Sequence, residues 1–89
     1  MDAREHVRNL LEQLLRSLVQ EPAKISVRYI PGDRTTQFMV DCPQEDIGRI
    51  IGQRGKTVSA LRVLVAGMMA RHGIRAIVEI PFYDNKENY

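Results

Sequence analysis

Apolar positions along the chain alternate between two periods, about 3.6 and 2, and the switches between them mark the elements. Asp2, with Glu5 three positions later, has the form of a capping box. Val7, Leu10, Leu11, Leu14, Leu15, Leu18 and Val19 follow at the spacing of one helical face, with Arg8, Glu12 and Arg16 on the other face at i, i+4. This predicts a first helix ended by Glu21-Pro22. From Lys24 to Ile30 the pattern alternates, with Ile25, Val27 and Tyr29 on one side, as a half-buried strand requires. Pro31-Gly32-Asp33-Arg34 is turn chemistry, and Thr35 to Cys42 is a second strand with Thr36, Phe38, Val40 and Cys42 facing one way.

Helical spacing then returns. Pro43 is expected as the first residue of a short helix, with Glu45 and Asp46 in its first turn, where the dipole favours anions. Ile47, Ile50 and Ile51 form its buried face, and Gly48 inside it answers a need for close backbone approach. Gly52 ends it in the left-handed conformation of a C-terminal cap. Another helix carries Val58, Leu61, Leu64, Val65, Met68 and Met69 up to Arg71-His72-Gly73. Val63, Ala66, Gly67 and Ala70 widen its apolar surface beyond one stripe and offer a candidate dimer face. Arg75 to Phe82 is a third strand, with Ala76, Val78 and Ile80 alternating against Ile77 and Glu79. Residues 83–89 are expected to be a flexible tail on a single domain spanning 1–82.

The order is therefore helix, strand, strand, helix, Gly-x-x-Gly, helix, strand: an α+β fold with a three-stranded sheet covered by helices on one face. The 89 residues are 44% hydrophobic and 27% charged, which suits one small globular domain. A single cysteine, Cys42, excludes an intramolecular disulfide and a cysteine-based zinc cluster and reads as a partly buried structural thiol. The charged start of the chain is no signal peptide, and the longest apolar run, Val63 to Ala70, is far short of a membrane span, so a cytoplasmic protein is expected. The net charge of +2 conceals an asymmetry. Ile47 to Val78 holds six cations and no carboxylate, +6, whereas the remainder holds seven cations against eleven acids, −4.

That positive segment contains Ile50-Ile51-Gly52-Gln53-Arg54-Gly55-Lys56. Two short helices joined by a four-residue glycine turn bring the amides of the second helix, with Arg54 and Lys56, to one place: an anion cradle. A β-carbon at Gly52 or Gly55 would obstruct a phosphate-sugar backbone. Gly55-Lys56-Thr57 imitates the end of a nucleotide-triphosphate loop, but that loop needs glycine at position 50 and a strand before it, and this chain has Ile50 and a helix. His6 and His72 are spaced with no other ligand, and no nucleophile shares a location with a base. No enzyme activity, metal or cofactor is expected.

The stretch from Ile50 to Lys56, set between two helices in this strand order, resembles the KH domain in its bacterial, type II arrangement, and most nearly the small stand-alone proteins of the KhpA type. The resemblance runs from the first helix to the third strand. It implies binding of single-stranded RNA, with the loop clamping the backbone of about four nucleotides. Carried over by position, Gly52 and Gly55 would admit the backbone, Gln53 and Arg54 would contact phosphates, and Arg49 and Lys56 would add charge. Ile47, Ile50 and Ile51, with the edge of the second strand, would form an apolar floor for bases, Ile47 serving mainly the core. The resemblance further implies a homodimer or pairing with a larger KH-containing RNA-binding protein, and a role as post-transcriptional regulator or RNA chaperone. Few aromatics are available, Tyr29, Phe38, Phe82, Tyr83 and Tyr89, so readout by hydrogen bonds and aliphatic contact is expected. The alternative is a protein-interaction module, kept for dimerisation, whose RNA contact is incidental.

Overall fold

The structure, a computed structural model, describes residues 2–83. Helix α1 spans Ala3–Arg16, strands β1 and β2 span Ser26–Pro31 and Thr35–Asp41, helices α2 and α3 span Ile47–Ile51 and Lys56–Ala70, and strand β3 spans Arg75–Glu79. Single 3₁₀ turns cover Pro22–Lys24 and Gln44–Asp46, and Gln53–Gly55 form a tight turn with left-handed backbone. The order of elements is the one the hydrophobic pattern predicts.

The Asp2 carboxylate accepts from the Arg4 amide at 2.9 Å, which starts α1 as the cap predicts. The helix stops well before Pro22. Ser17 turns its hydroxyl back to the Gln13 carbonyl at 3.0 Å and competes with the helical ladder, and the chain leaves the helix there. Val7, Leu11 and Leu15 are buried, while Leu10 and Leu14, at the margin of the predicted stripe, are 38% and 40% exposed. A helix packed on one side of a single sheet covers a narrower stripe than the sequence offers.

β2 is the central strand, antiparallel to β1 and parallel to β3. Val27 pairs with Val40 and Tyr29 with Phe38, which puts their side chains on one face. Val27, Phe38, Val40 and Val78 from that face meet Val7, Leu11 and Leu15 of α1 and Val58, Leu61, Val65 and Met69 of α3 in one core. Thr36 is fully buried among them, its hydroxyl accepting from Arg4 Nε at 3.0 Å. All helices lie on this face. β3 ends at Glu79, short of Phe82, because Pro81 has no amide hydrogen for a ladder.

Three local expectations change. Pro43 has extended backbone and lies one residue outside the 3₁₀ turn that precedes α2, since Cys42 and Pro43 must carry the chain away from the sheet before it can wind. A Cβ built on Gly48 meets nothing within 4 Å, so no close approach explains that glycine. Leu64 is 53% exposed, because only α3 residues facing the sheet and α1 are covered. Tyr83, assigned to the tail from the sequence, packs against the core. Residues 84–89 lie outside the described residues.

Candidate nucleic-acid interface

Asp46 anchors the approach to the loop. Rather than capping α2, its buried carboxylate accepts from the amides of Gln20 and Glu21, both at 3.3 Å, and lies 3.5 Å from Arg49 Nε. The chain between α1 and β1 is thereby tied to the start of α2. Ile47 and Ile50 then root α2 in the core at 8% and 0% exposure.

After α2 the backbone makes an unusual run. Gly52 has φ +77 and ψ 173, a region open essentially to glycine alone and distinct from the left-handed helical cap predicted for it. Arg54 (φ +59, ψ 25) and Gly55 (φ +73, ψ 15) are both left-handed. The Gly55 amide closes the turn on the Gly52 carbonyl at 3.1 Å. A Cβ on Gly52 would come within 2.2 Å of Thr57 Oγ1, so the protein's own packing demands this glycine. α3 follows at once. It is not short: it has 15 residues, with no acid in its first turn to occupy its opening amides.

Gln53, Arg54 and Lys56 are all exposed on this turn, and Arg49 is exposed beside Asp46. Gly52, Gly55 and Ile51 are half-buried. Two expectations about the apolar floor do not survive. Ile50 has no exposed surface and supports the loop from beneath. β2 has a neighbour on both sides, so its edge is unavailable, and the free edge near the helices belongs to β3.

The apolar surface lies instead in a groove of about 480 Å³ between α3 and β3, lined by Ser59, Arg62, Val63, Ala66, Ile77 and Val78 among others. Arg62 Nη2 donates to the Val78 carbonyl at 3.0 Å and bridges the groove. Lys56, Ser59, Val63, Ala66 and Ala70 are spaced as one helical face, a signal already in the sequence, but which strand lies opposite depends on strand order. Among the described residues no group of His, Cys, Asp or Glu could hold a metal ion, and no helix is long and apolar enough to cross a membrane.

A glycine loop between two helices, on one face of a sheet with this mixed strand order, defines a KH domain of the type II arrangement. Sequence comparison agrees. The model of the family described as "KhpA/KhpB, KH domain" matches residues 8–80, and the chain belongs to that family. Similar proteins include one named RNA-binding protein KhpA from Mycobacterium tuberculosis, 40% identical over 76% of this chain and 84% of its own length. Proteins of the same name from Borreliella burgdorferi and Chlamydia pneumoniae are 32% and 28% identical, over 80% and 83% of this chain and 87% and 95% of their own lengths. No solved structure gives a significant match.

Proposed function

We propose that this protein binds single-stranded RNA in the cytoplasm as a post-transcriptional regulator or RNA chaperone, without enzymatic activity. The carrying observation is the outward loop from Gly52 to Lys56, where Gln53, Arg54 and Lys56 are exposed at the acid-free start of α3. Gln53, Arg54 and the loop amides hold phosphates, Lys56 and Arg49 add charge, and Gly52 and Gly55 set the backbone that presents them. Ile51 lines the approach from α2, and Ile50 holds the loop from below. Bases lie toward the loop end of the α3–β3 groove, against Ser59 and Arg62.

Replacing Gln53 and Arg54 together by Asp tests this. Both side chains point to solvent, so the fold is expected to survive while affinity for single-stranded RNA falls by more than about tenfold. Unchanged binding in a polarisation assay would refute the proposal.

The far half of α3 supports self-association, or pairing with a larger KH-containing protein. Val63 and Leu64 are 71% and 53% exposed, beside exposed Ala66, Gly67 and Ala70.

A further inference from the structure

Beyond β3 the chain stays on the domain. Ile80 is 2% exposed and Tyr83 packs against the core. α3 leads away from the glycine loop and the chain returns through β3, which brings its end back to the loop. The Tyr83 hydroxyl lies 3.6 Å from where a Cβ on Gly55 would sit. The Arg62 guanidinium stands 5.8 Å from the Tyr83 ring centroid, a cation–π distance. Tyr83 is thus held beside the loop by α3.

Its neighbour Phe82 has two features that packing does not explain. Its φ of +61 is left-handed, a conformation that disfavours a residue with a β-carbon. Its side chain is also 68% exposed, so most of the gain from burying a ring is forgone. Among the described residues the only other positive φ outside glycine belongs to Arg54, inside the loop. Backbone strain of this kind collects where surrounding structure holds a group in place for a ligand. Adjacent Cα atoms are about 3.8 Å apart, so Phe82 is one step from a side chain that reaches the loop. The family match spans residues 8–80 and does not include Phe82.

We propose that Phe82 is a base-stacking residue: a nucleotide whose phosphate is held by the Gly52–Lys56 loop lays its base on the Phe82 ring. Tyr83 is the positioning residue that anchors the segment carrying Phe82 next to the loop. This rests on the RNA-binding function proposed above and extends it to a stacking contact, where the composition alone suggested only hydrogen bonds and aliphatic contact. Every base has a π-face, so such a contact is tolerant of sequence but favours bases that stack strongly.

The test measures binding of fluorescein-labelled A10 and U10 RNA to the full chain and to Phe82→Gly, Phe82→Leu and Phe82→Tyr, with thermal melting of each. Removing an aromatic stack is expected to weaken A10 binding about 5- to 100-fold. Phe82→Leu keeps apolar surface but loses the π-face and should behave like Phe82→Gly, whereas Phe82→Tyr retains binding. Phe82→Gly relieves the left-handed strain, so its melting temperature should hold or rise while affinity falls. The preference of the unmodified protein for A10 over U10 should shrink in the glycine variant.

If Phe82→Gly binds both RNAs as tightly as the unmodified protein while the Gln53/Arg54 double replacement abolishes binding, the stacking proposal is overturned and RNA binding stands. A lower melting temperature accompanying lost affinity would assign Phe82 a structural role and equally overturn it. Absence of RNA binding by the unmodified protein would remove both proposals together.

Discussion

At Gly52 a methyl group would lie 2.2 Å from Thr57 Oγ1 and 3.0 Å from the Thr57 amide nitrogen, in a backbone conformation with φ +77. Gly52→Ala is therefore expected to destabilise the fold by about 2–4 kcal/mol, read by chemical denaturation. Gly48 is the internal control. It sits in α2 with open space around its Cβ position, and Gly48→Ala should stabilise by roughly 0.4–1 kcal/mol. Two glycines four residues apart thus carry opposite predictions. Cys42 is a third residue whose setting decides its chemistry: burial first, then the charges of Asp46 and Glu45, push its thiol up to about 11. At pH 8 it stays protonated, and alkylation by iodoacetamide should run well below the rate of free cysteine. Since the folded state favours the thiol, its contribution to stability is intact below about pH 9 and is lost as the pH rises towards 11.

Among the elements, α1 does more than cover the core. Its polar face closes the outer edge of the sheet, because β1 is an edge strand. Glu12 accepts from the Val27 amide at 3.0 Å, Arg8 donates to the Val27 carbonyl at 2.9 Å and Arg16 to the Ile25 carbonyl at 3.2 Å. Arg8 and Arg16 flank Glu12 at 3.2 and 3.7 Å, the i, i+4 pairs expected from the sequence, now serving a tertiary purpose. An edge bonded in this way is blunted against pairing with another chain. Glu12→Ala should destabilise by about 1–3 kcal/mol and speed hydrogen exchange at the Val27 amide, with Glu12→Gln intermediate. Asp46 joins elements in the same manner, and Asp46→Ala, which leaves the Gln20 and Glu21 amides without their acceptor, should cost about 2–4 kcal/mol in denaturant unfolding.

For the molecule as a whole, charge and apolar surface make separate predictions. An RNA site engaging about two to four phosphates has a log–log salt slope near 0.7 per contact, so affinity should fall about 7- to 50-fold between 50 and 200 mM salt. A much steeper fall would mean a larger basic surface than the loop. Self-association depends on α3 instead. A Cβ at Gly67 meets nothing within 4 Å, so Gly67→Asp should fold normally and sediment as a monomer if the far half of α3 is the contact. An unaltered sedimentation profile would place any interface elsewhere.

Element order, the single core and the glycine loop were legible in the linear pattern because periodicity and turn chemistry act over a few residues. The buried sets Val7, Leu11, Leu15 and Val58, Leu61, Val65 follow directly from it. Gln53, Arg54 and Lys56 were legible as loop residues, and their exposure agrees. What tertiary structure alone decided is everything that depends on which elements become neighbours. Strand order puts β2 in the centre and leaves β3 to line the groove, which moves the apolar surface away from Ile50. Chain reversal after α3 brings Tyr83 to Gly55 across 28 positions of sequence, and no local pattern encodes that meeting. Asp46 looks like a helix-start residue until Gln20 and Glu21 lie beside it. Local free energies choose helix, strand or turn, but only packing of the whole chain determines which exposed groups share one surface.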